Sequence, residues 1–234
     1  MDAPAVFTDT DFYQRSFDPQ EYLKEFYTLN DSQGQPNRFL IQNLRSLSQM
    51  FSLDSTDQTR RELERWLKKE AGAFDWSPVV KYVCELEGDR EKWAEKEEKV
   101  RKKVKRVLKC DVTKANPVEP LSLPPADCVI STLCLEAACR DVAAFRSALR
   151  NISALVKPGG HLVMVTVLQE TYYAFNKQVF SCLYLERNAV EEAVEGAGFE
   201  VKFSEAHPYP PGDIRVDCTA VLSLVARRRA SVSE

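Results

Sequence analysis

The chain has 234 residues, 44% of them hydrophobic and 29% charged, with a net charge of −3. That is the balance of an ordinary globular protein of one domain with a core of its own, and the acidic sum argues against a nucleic-acid binder. Seven cysteines with irregular spacing and no CxxC pair argue against a zinc site and suit reduced thiols of the cytoplasm. The opening MDAPAVFTDTDFYQRSFDP is acidic and polar, unlike a signal peptide, and no apolar run approaches the ~18 residues that span a membrane.

In chain order, Phe12, Tyr13 and Phe17 precede Asp18-Pro19, which reads as the N-cap and first turn of a helix carrying Tyr22, Phe26 and Tyr27. Residues 36–52 hold Phe39, Leu40, Leu44, Leu47 and Phe51 at helical spacing, a packing helix. No glycine occurs between Gly34 and Gly72. Within that stretch Leu53 is followed directly by Asp54 and the charged helix RRELERWLKKE.

Ser77-Pro78 starts the next helix as N-cap and first residue, with Val79, Val80, Val83 and Leu86 on its apolar side. Residues 89–109 form a charge-rich helix, acids first and bases last, as the helix dipole favours. Glu97–Arg101 and Glu98–Lys102 are i,i+4 pairs, and the interleaving of Glu and Lys reads as a solvated face rather than a nucleic-acid patch.

The most informative run follows. Val107–Val112 and Ala126–Leu133 read as strands on either side of a proline-rich loop. Val142, Phe145, Leu149, Ile152 and Leu155 give one helical stripe, and Lys157-Pro158-Gly159-Gly160 stops it. His161–Leu168 is apolar almost throughout, as a strand covered on both faces is. The segments 107–112, 127–133 and 161–168 are expected side by side in one sheet of the nucleotide-binding kind, where ligands sit beyond the carboxyl ends of the strands. Asp111, Val112, Ser131, Thr132 and Cys134 fall there, although Asp111 also reads as a turn cap and Cys134 as core.

Thr171 to Leu183 is a connector, Arg187 to Val194 a helix, and Gly196-Ala197-Gly198 its stop rather than a phosphate cradle. His207 to Gly212 is a turn cluster. Val216–Val225 is the last strand, in an antiparallel edge hairpin with 199–206.

The strings LKCDV, PPADCVISTLCLEAAC and RNISALVKPGGHLV resemble the methyltransferase family that includes the nicotinamide, indolethylamine and phenylethanolamine N-methyltransferases. The likeness runs from Phe7 to about Arg228. It implies an α/β, Rossmann-like three-layer sandwich with an N-terminal helical lid over residues 1–34 and a core over 35–234. It also implies S-adenosylmethionine as cofactor, a small amine or pyridine-type acceptor, a monomer, a cytoplasmic place of work, and no membrane or nucleic-acid partner.

The resemblance has one gap. The family's first strand, glycine turn, helix and second strand have no counterpart between Leu53 and Asp54, so the sandwich is expected to be incomplete. The missing strands would lie at the centre of the sheet, leaving two remaining strands without neighbours.

Carried over residue by residue, the resemblance makes Tyr22 and Tyr27 cofactor-pocket tyrosines. Asp54 stands at the ribose acid, in an ambiguous register, and Thr59 where the family has an Asn near the adenine. Asp111 and Val112 meet the adenine, and Thr132 the cofactor. On the substrate side stand Cys134, Thr166 where relatives carry a carboxylate, Tyr173 as an aromatic stacker, Cys182 near the acceptor, and Asp217 near an amine position. No enzyme nucleophile is expected, since methyl transfer from a sulfonium needs none. The alternative reading is an inactive shortened homologue that acts by binding a protein.

Overall fold

The computed structural model describes residues 7–30, 34, 36–37 and 57–230. They fall into two compact bodies, 10–109 and 7–9 with 110–230. Most of the packing helix expected at 36–52, and Asp54, lie outside the described residues.

The first body is helical. Helix α1 is Thr10–Ser16 and α2 is Pro19–Phe26. Asp18 caps α2 as its type predicts: Oδ1 accepts the N–H groups of Gln20 and Glu21 at 2.9 and 3.2 Å. Helix α3, Asp57–Leu67, carries a buried carboxylate, Glu62. Gln20 and Arg65 donate to its Oε2 and the Phe74 amide to its Oε1, so the charge is satisfied and ties α2 to the turn after α3.

Helix α4 is Ser77–Leu86. Its N-cap is not Ser77, as expected, but Trp76, which makes no side-chain cap bond; Asp75, one residue further back, accepts the Ser77 N–H at 2.9 Å. After one 3₁₀ turn at Arg90–Lys92 comes α5, Trp93–Lys103. Arg101 lies 4.3 Å over the Trp66 ring and bonds Glu97, which also accepts the indole N–H. The expected Glu98–Lys102 pair does not form, because Lys69 reaches Glu98 across the turn at 2.7 Å.

The second body is a mixed sheet with helices. Its elements are β1 (Ala126–Thr132), α6 (Leu135–Ala138), α7 (Val142–Ser153), β2 (Val156–Leu168), β3 (Tyr172–Phe175), β4 (Gln178–Ser181), α8 (Arg187–Gly196), β5 (Phe199–Pro208) and β6 (Ala220–Arg228). The sheet order is β1-β2-β6-β5, with β1 parallel to β2 and the other pairs antiparallel. This is the Rossmann-like α/β arrangement that the sequence implies. The last hairpin forms as expected, except that its second strand starts at Ala220 rather than Val216, because residues 209–219 cross from β5 to β6 outside the main sheet.

One face is held by α7 and α8. Phe145, Leu149 and Ile152 meet Val190 and Val194 over Leu162, Met164, Leu168, Leu222 and Leu224. Each such fully buried side chain contributes about 1.5–3 kcal/mol of transfer free energy. β2 is buried along both faces, as its unbroken apolar run requires.

Two expectations fail at the other side. Residues 107–112 form no strand, and β1 is not a buried strand but an edge, its first three residues exposed. Both follow from one cause. An extended segment becomes a strand only when a neighbour takes its N–H and C=O groups, and the strands that the resemblance puts at the centre of the sheet have no counterpart in the sequence. Only β1 and β2 of the three expected neighbours therefore lie side by side.

Candidate functional site

The site-bearing features of the second body lie where β1 and β2 end. Thr132 pairs with Val165, and the next residue, Leu133, turns with φ +50° while its N–H donates to the Val165 carbonyl at 2.9 Å. β2 ends the same way: Gln169 has φ +56° and donates its N–H to Leu185 at 3.0 Å. Two non-glycine residues in the left-handed region directly after two adjacent parallel strands are costly, a feature that concentrates at functional sites. Each bend delivers a glutamate: α6 after Leu133 carries Glu136, and Glu170 follows Gln169.

Glu136 is 2% exposed and Glu170 is 4% exposed. Burial pushes the Glu136 carboxyl up to about 7, against the weaker pull of its own amide, Thr166 and Val167. The Thr166 hydroxyl is near enough to act on it, yet neither Glu136 oxygen nor Thr166 Oγ1 makes a well-formed hydrogen bond. Burial pushes Glu170 up to about 8; the charges of Glu136 and Asp217 act the same way, and the thiols of Cys182 and Cys218 oppose it. Burial, then Glu170, raises both thiols well above the ordinary range.

The structure thus gathers Thr166, Cys182 and Asp217 from the expected substrate residues around two glutamates. Asp217 has a structural task there: its carboxylate accepts the N–H groups of Thr171 and Tyr172 at 2.8 and 3.3 Å and the Thr171 hydroxyl, fixing the start of β3. The connector expected at 171–183 is a hairpin of β3 and β4. In it Tyr173 stacks on Phe180, with centroids 5.1 Å apart and planes 15° apart. Cys134 stands just before α6, half-buried against the core.

Asp111 closes its own turn. Its Oδ1 accepts the Thr113 N–H at 3.1 Å and hydroxyl at 2.6 Å, which is the bland alternative the sequence offers, and Oδ2 lies outside those bonds. Val112 is buried in the core and its carbonyl accepts from Asn151 at 3.0 Å. In the first body Tyr22 and Tyr27 have ring centroids 5.8 Å apart, within a chain of rings from Phe17 to Trp76, and Thr59 is half-buried on α3.

Glu136 and Glu170 are the residues that sequence reasoning missed. The available signal was a Glu inside the apolar string LCLEAAC, and a Glu two residues past the end of an apolar strand. No His, Cys, Asp and Glu cluster among the described residues could hold a metal ion, and no described helix is long and apolar enough to cross a membrane.

The sequence profile of the NNMT/PNMT/TEMT family matches residues 50–229. Nicotinamide N-methyltransferase of Sus scrofa is 43% identical, over 95% of this chain and 97% of its own length. Indolethylamine N-methyltransferase of Oryctolagus cuniculus is 39% identical, with the same shares. Phenylethanolamine N-methyltransferase of Macaca mulatta is 41% identical over 64% of this chain and 54% of its own. The alignment to the pig protein spans 255 positions against 234 residues here, so at least 21 of them (255 less 234) fall opposite no residue of this chain. The resemblance that the central strings carry is thereby borne out, and the chain belongs to the NNMT/PNMT/TEMT family.

Proposed function

We propose that this chain is an S-adenosylmethionine-dependent methyltransferase of small amine or pyridine-type nitrogens, with a weakened hold on its donor. The observation that carries the reading is the convergence of buried Glu136 and Glu170 just past the ends of β1 and β2. A buried carboxyl titrating near the working pH suits an amine: in its ionised form it accepts the N–H, orients the lone pair, and takes the proton that the nitrogen sheds on becoming methylated. Glu170, with two thiols beside it, is the group for that proton. Tyr173, half-buried and backed by the fully buried Phe180, is the flat ring for an aromatic acceptor.

When bound, S-adenosylmethionine supplies an electrophilic methyl group on a sulfonium sulfur. The residues fit it at one end. Within the second body, Asp111 Oδ2 lies outside its turn bonds and can accept from an adenine amine. They do not fit its methionine end. That end needs a glycine turn for close backbone approach, and the loops leaving β1 and β2 contain no glycine. Rate would come from proximity and orientation, with no covalent step on the enzyme.

Calorimetry with S-adenosylhomocysteine is expected to give a Kd weaker than about 100 µM, a ΔG of about −5.5 kcal/mol. Micromolar affinity would overturn the weakened hold. Methyl-transfer assays at saturating donor should detect N-methylation of tryptamine or nicotinamide, and Glu170→Gln should depress the rate with the proton-bearing amine far more than with nicotinamide. Absence of product from every nitrogen acceptor would favour the second reading, a silent homologue that binds a protein. The exposed edge of β1 is the feature behind that one.

A further inference from the structure

Helix α5 ends in cations that form no ion pair with its own acids, although Lys102 acts on Glu98 electrostatically. Glu97 is taken by Arg101 and the Trp66 indole, Glu98 by Lys69, and Lys96 by Glu87. Beyond them Lys99, Lys102, Lys103, Lys105, Arg106 and Lys109 are exposed, with no hydrogen bond or ion pair among the described residues. Sequence alone reads this run as a mixed, solvated face. The fold separates the signs, drawing the acids toward Trp66 and Lys69 and leaving the bases together. The helix dipole accounts for Lys102 and Lys103 in the last turn, but not for Lys105, Arg106 and Lys109, which lie past the helix end.

Lys99, Lys102 and Lys103 share one helix face by their i,i+3 and i,i+4 spacing. With Lys105, Glu95 and Glu98 they line an open cavity of about 500 Å³. Glu98 is already neutralised by Lys69, and Glu95 acts electrostatically on Lys92. Four lysines against two glutamates leave the cavity net positive, and a concave surface with an excess of one sign focuses its field on a counter-ion.

We propose that this cavity binds a small anion with several closely spaced phosphate groups. Lysine ammonium groups are compact, strongly hydrated point charges with three donors each, suited to phosphate oxygens. The lining has no aromatic ring on which a nucleic-acid base could stack. It also has no apolar residue to enter a bilayer. Those two gaps favour a small ligand over a nucleic acid or a membrane surface.

The test titrates the full chain with tripolyphosphate by calorimetry at low ionic strength. Saturable one-site binding is expected, weakening steeply as salt is added, with orthophosphate at least about tenfold weaker. Lys99→Glu with Lys102→Glu should lower affinity by about tenfold or more, while Lys202→Glu on β5 should leave it unchanged. An unaltered melting curve verifies that the double variant folds. Inositol polyphosphates in solution, and vesicles bearing the same headgroups, separate a free source from a lipid one. No saturable binding, equal binding by the double variant, or RNA binding that tripolyphosphate fails to displace would each overturn the proposal.

Discussion

Thr8 and Ser181 exchange hydrogen bonds. The Thr8 N–H donates to Ser181 Oγ at 2.7 Å, and the Ser181 N–H donates to Thr8 Oγ1 at 2.8 Å. Both residues are buried, so each hydroxyl satisfies a backbone donor that water does not reach. The pair fixes the end of β4 next to Cys182, whose thiol bears on Glu170. Thr8→Ala should leave the Ser181 amide without its acceptor and cost about 1–3 kcal/mol. Thr8→Ser keeps the oxygen and should cost less than about 1 kcal/mol. Urea denaturation of the three proteins measures the difference, and equal midpoints would show that the pair contributes nothing.

The two buried glutamates make stability depend on pH. Unfolded, each carboxyl titrates near its model value of 4.5; folded, Glu136 does so near 7 and Glu170 near 8. Both folded values are raised, so their contribution is fully present below about pH 4.5 and is lost as pH climbs through 7 to 8. The sign is opposite to that of a salt-bridged carboxylate. Across that window the wild-type chain should lose a few kcal/mol relative to Glu136→Gln with Glu170→Gln, which carries no titrating proton there. Melting temperatures from pH 5 to 8.5 read this directly. Parallel curves for the two proteins would mean that the carboxyls ionise freely.

An edge strand can also be read through its cysteine. Cys128 on β1 is exposed, whereas Cys84, Cys139 and Cys218 are buried. Burial pushes Cys139 up to about 12, so little thiolate forms there at neutral pH. Cys128 should be the fast-reacting thiol toward a disulfide reagent at pH 8, and Cys128→Ser should remove that phase. Persistence of the fast phase in the variant would mean that another thiol, such as half-buried Cys110, carries it.

The sequence is legible where chemistry is local. Asp18-Pro19 caps a helix because a carboxylate followed by a fixed φ suffices for that. Val142 to Ile152 and His161 to Leu168 form helix and strand because their apolar periods need no distant partner to be recognised. The segment 107–112 shows the limit of this logic. Its residues favour an extended form, but a strand is a property of a pair, and none of the described segments pairs with it. The acid pair is hidden for the same reason: Cys182 and Cys218, which bear on Glu170, arrive from the end of β4 and the approach to β6. Nothing in the string around Glu170 indicates that long-range chain crossings will bury it.

The Lys157-Pro158-Gly159-Gly160 segment, expected to precede a strand, lies inside one and sets its register. Ala126 pairs with Val156 but Cys128 already pairs with His161, so β2 advances five residues while β1 advances two and bulges by the three left over. The two glycines do different work. Gly159 has φ +78° and its absent Cβ would meet only the end of the Arg227 side chain, at 3.6 Å. Gly160 has no unusual φ, but a Cβ there would stand 2.8 Å from the Asp127 carbonyl oxygen and 3.0 Å from that of Lys157, both backbone atoms. Gly159→Ala should therefore cost about 1 kcal/mol of left-handed strain. Gly160→Ala should cost more, about 1–3 kcal/mol, because β1 itself must move. That movement would shift Thr132 and the bend at Leu133, so Gly160→Ala should also move the apparent pKa of Glu136 while Gly159→Ala leaves it in place. Denaturation midpoints, with the pH dependence of melting described above, separate the two. Equal costs for the two substitutions would mean that the β1–β2 contact is looser than the 2.8 Å approach implies.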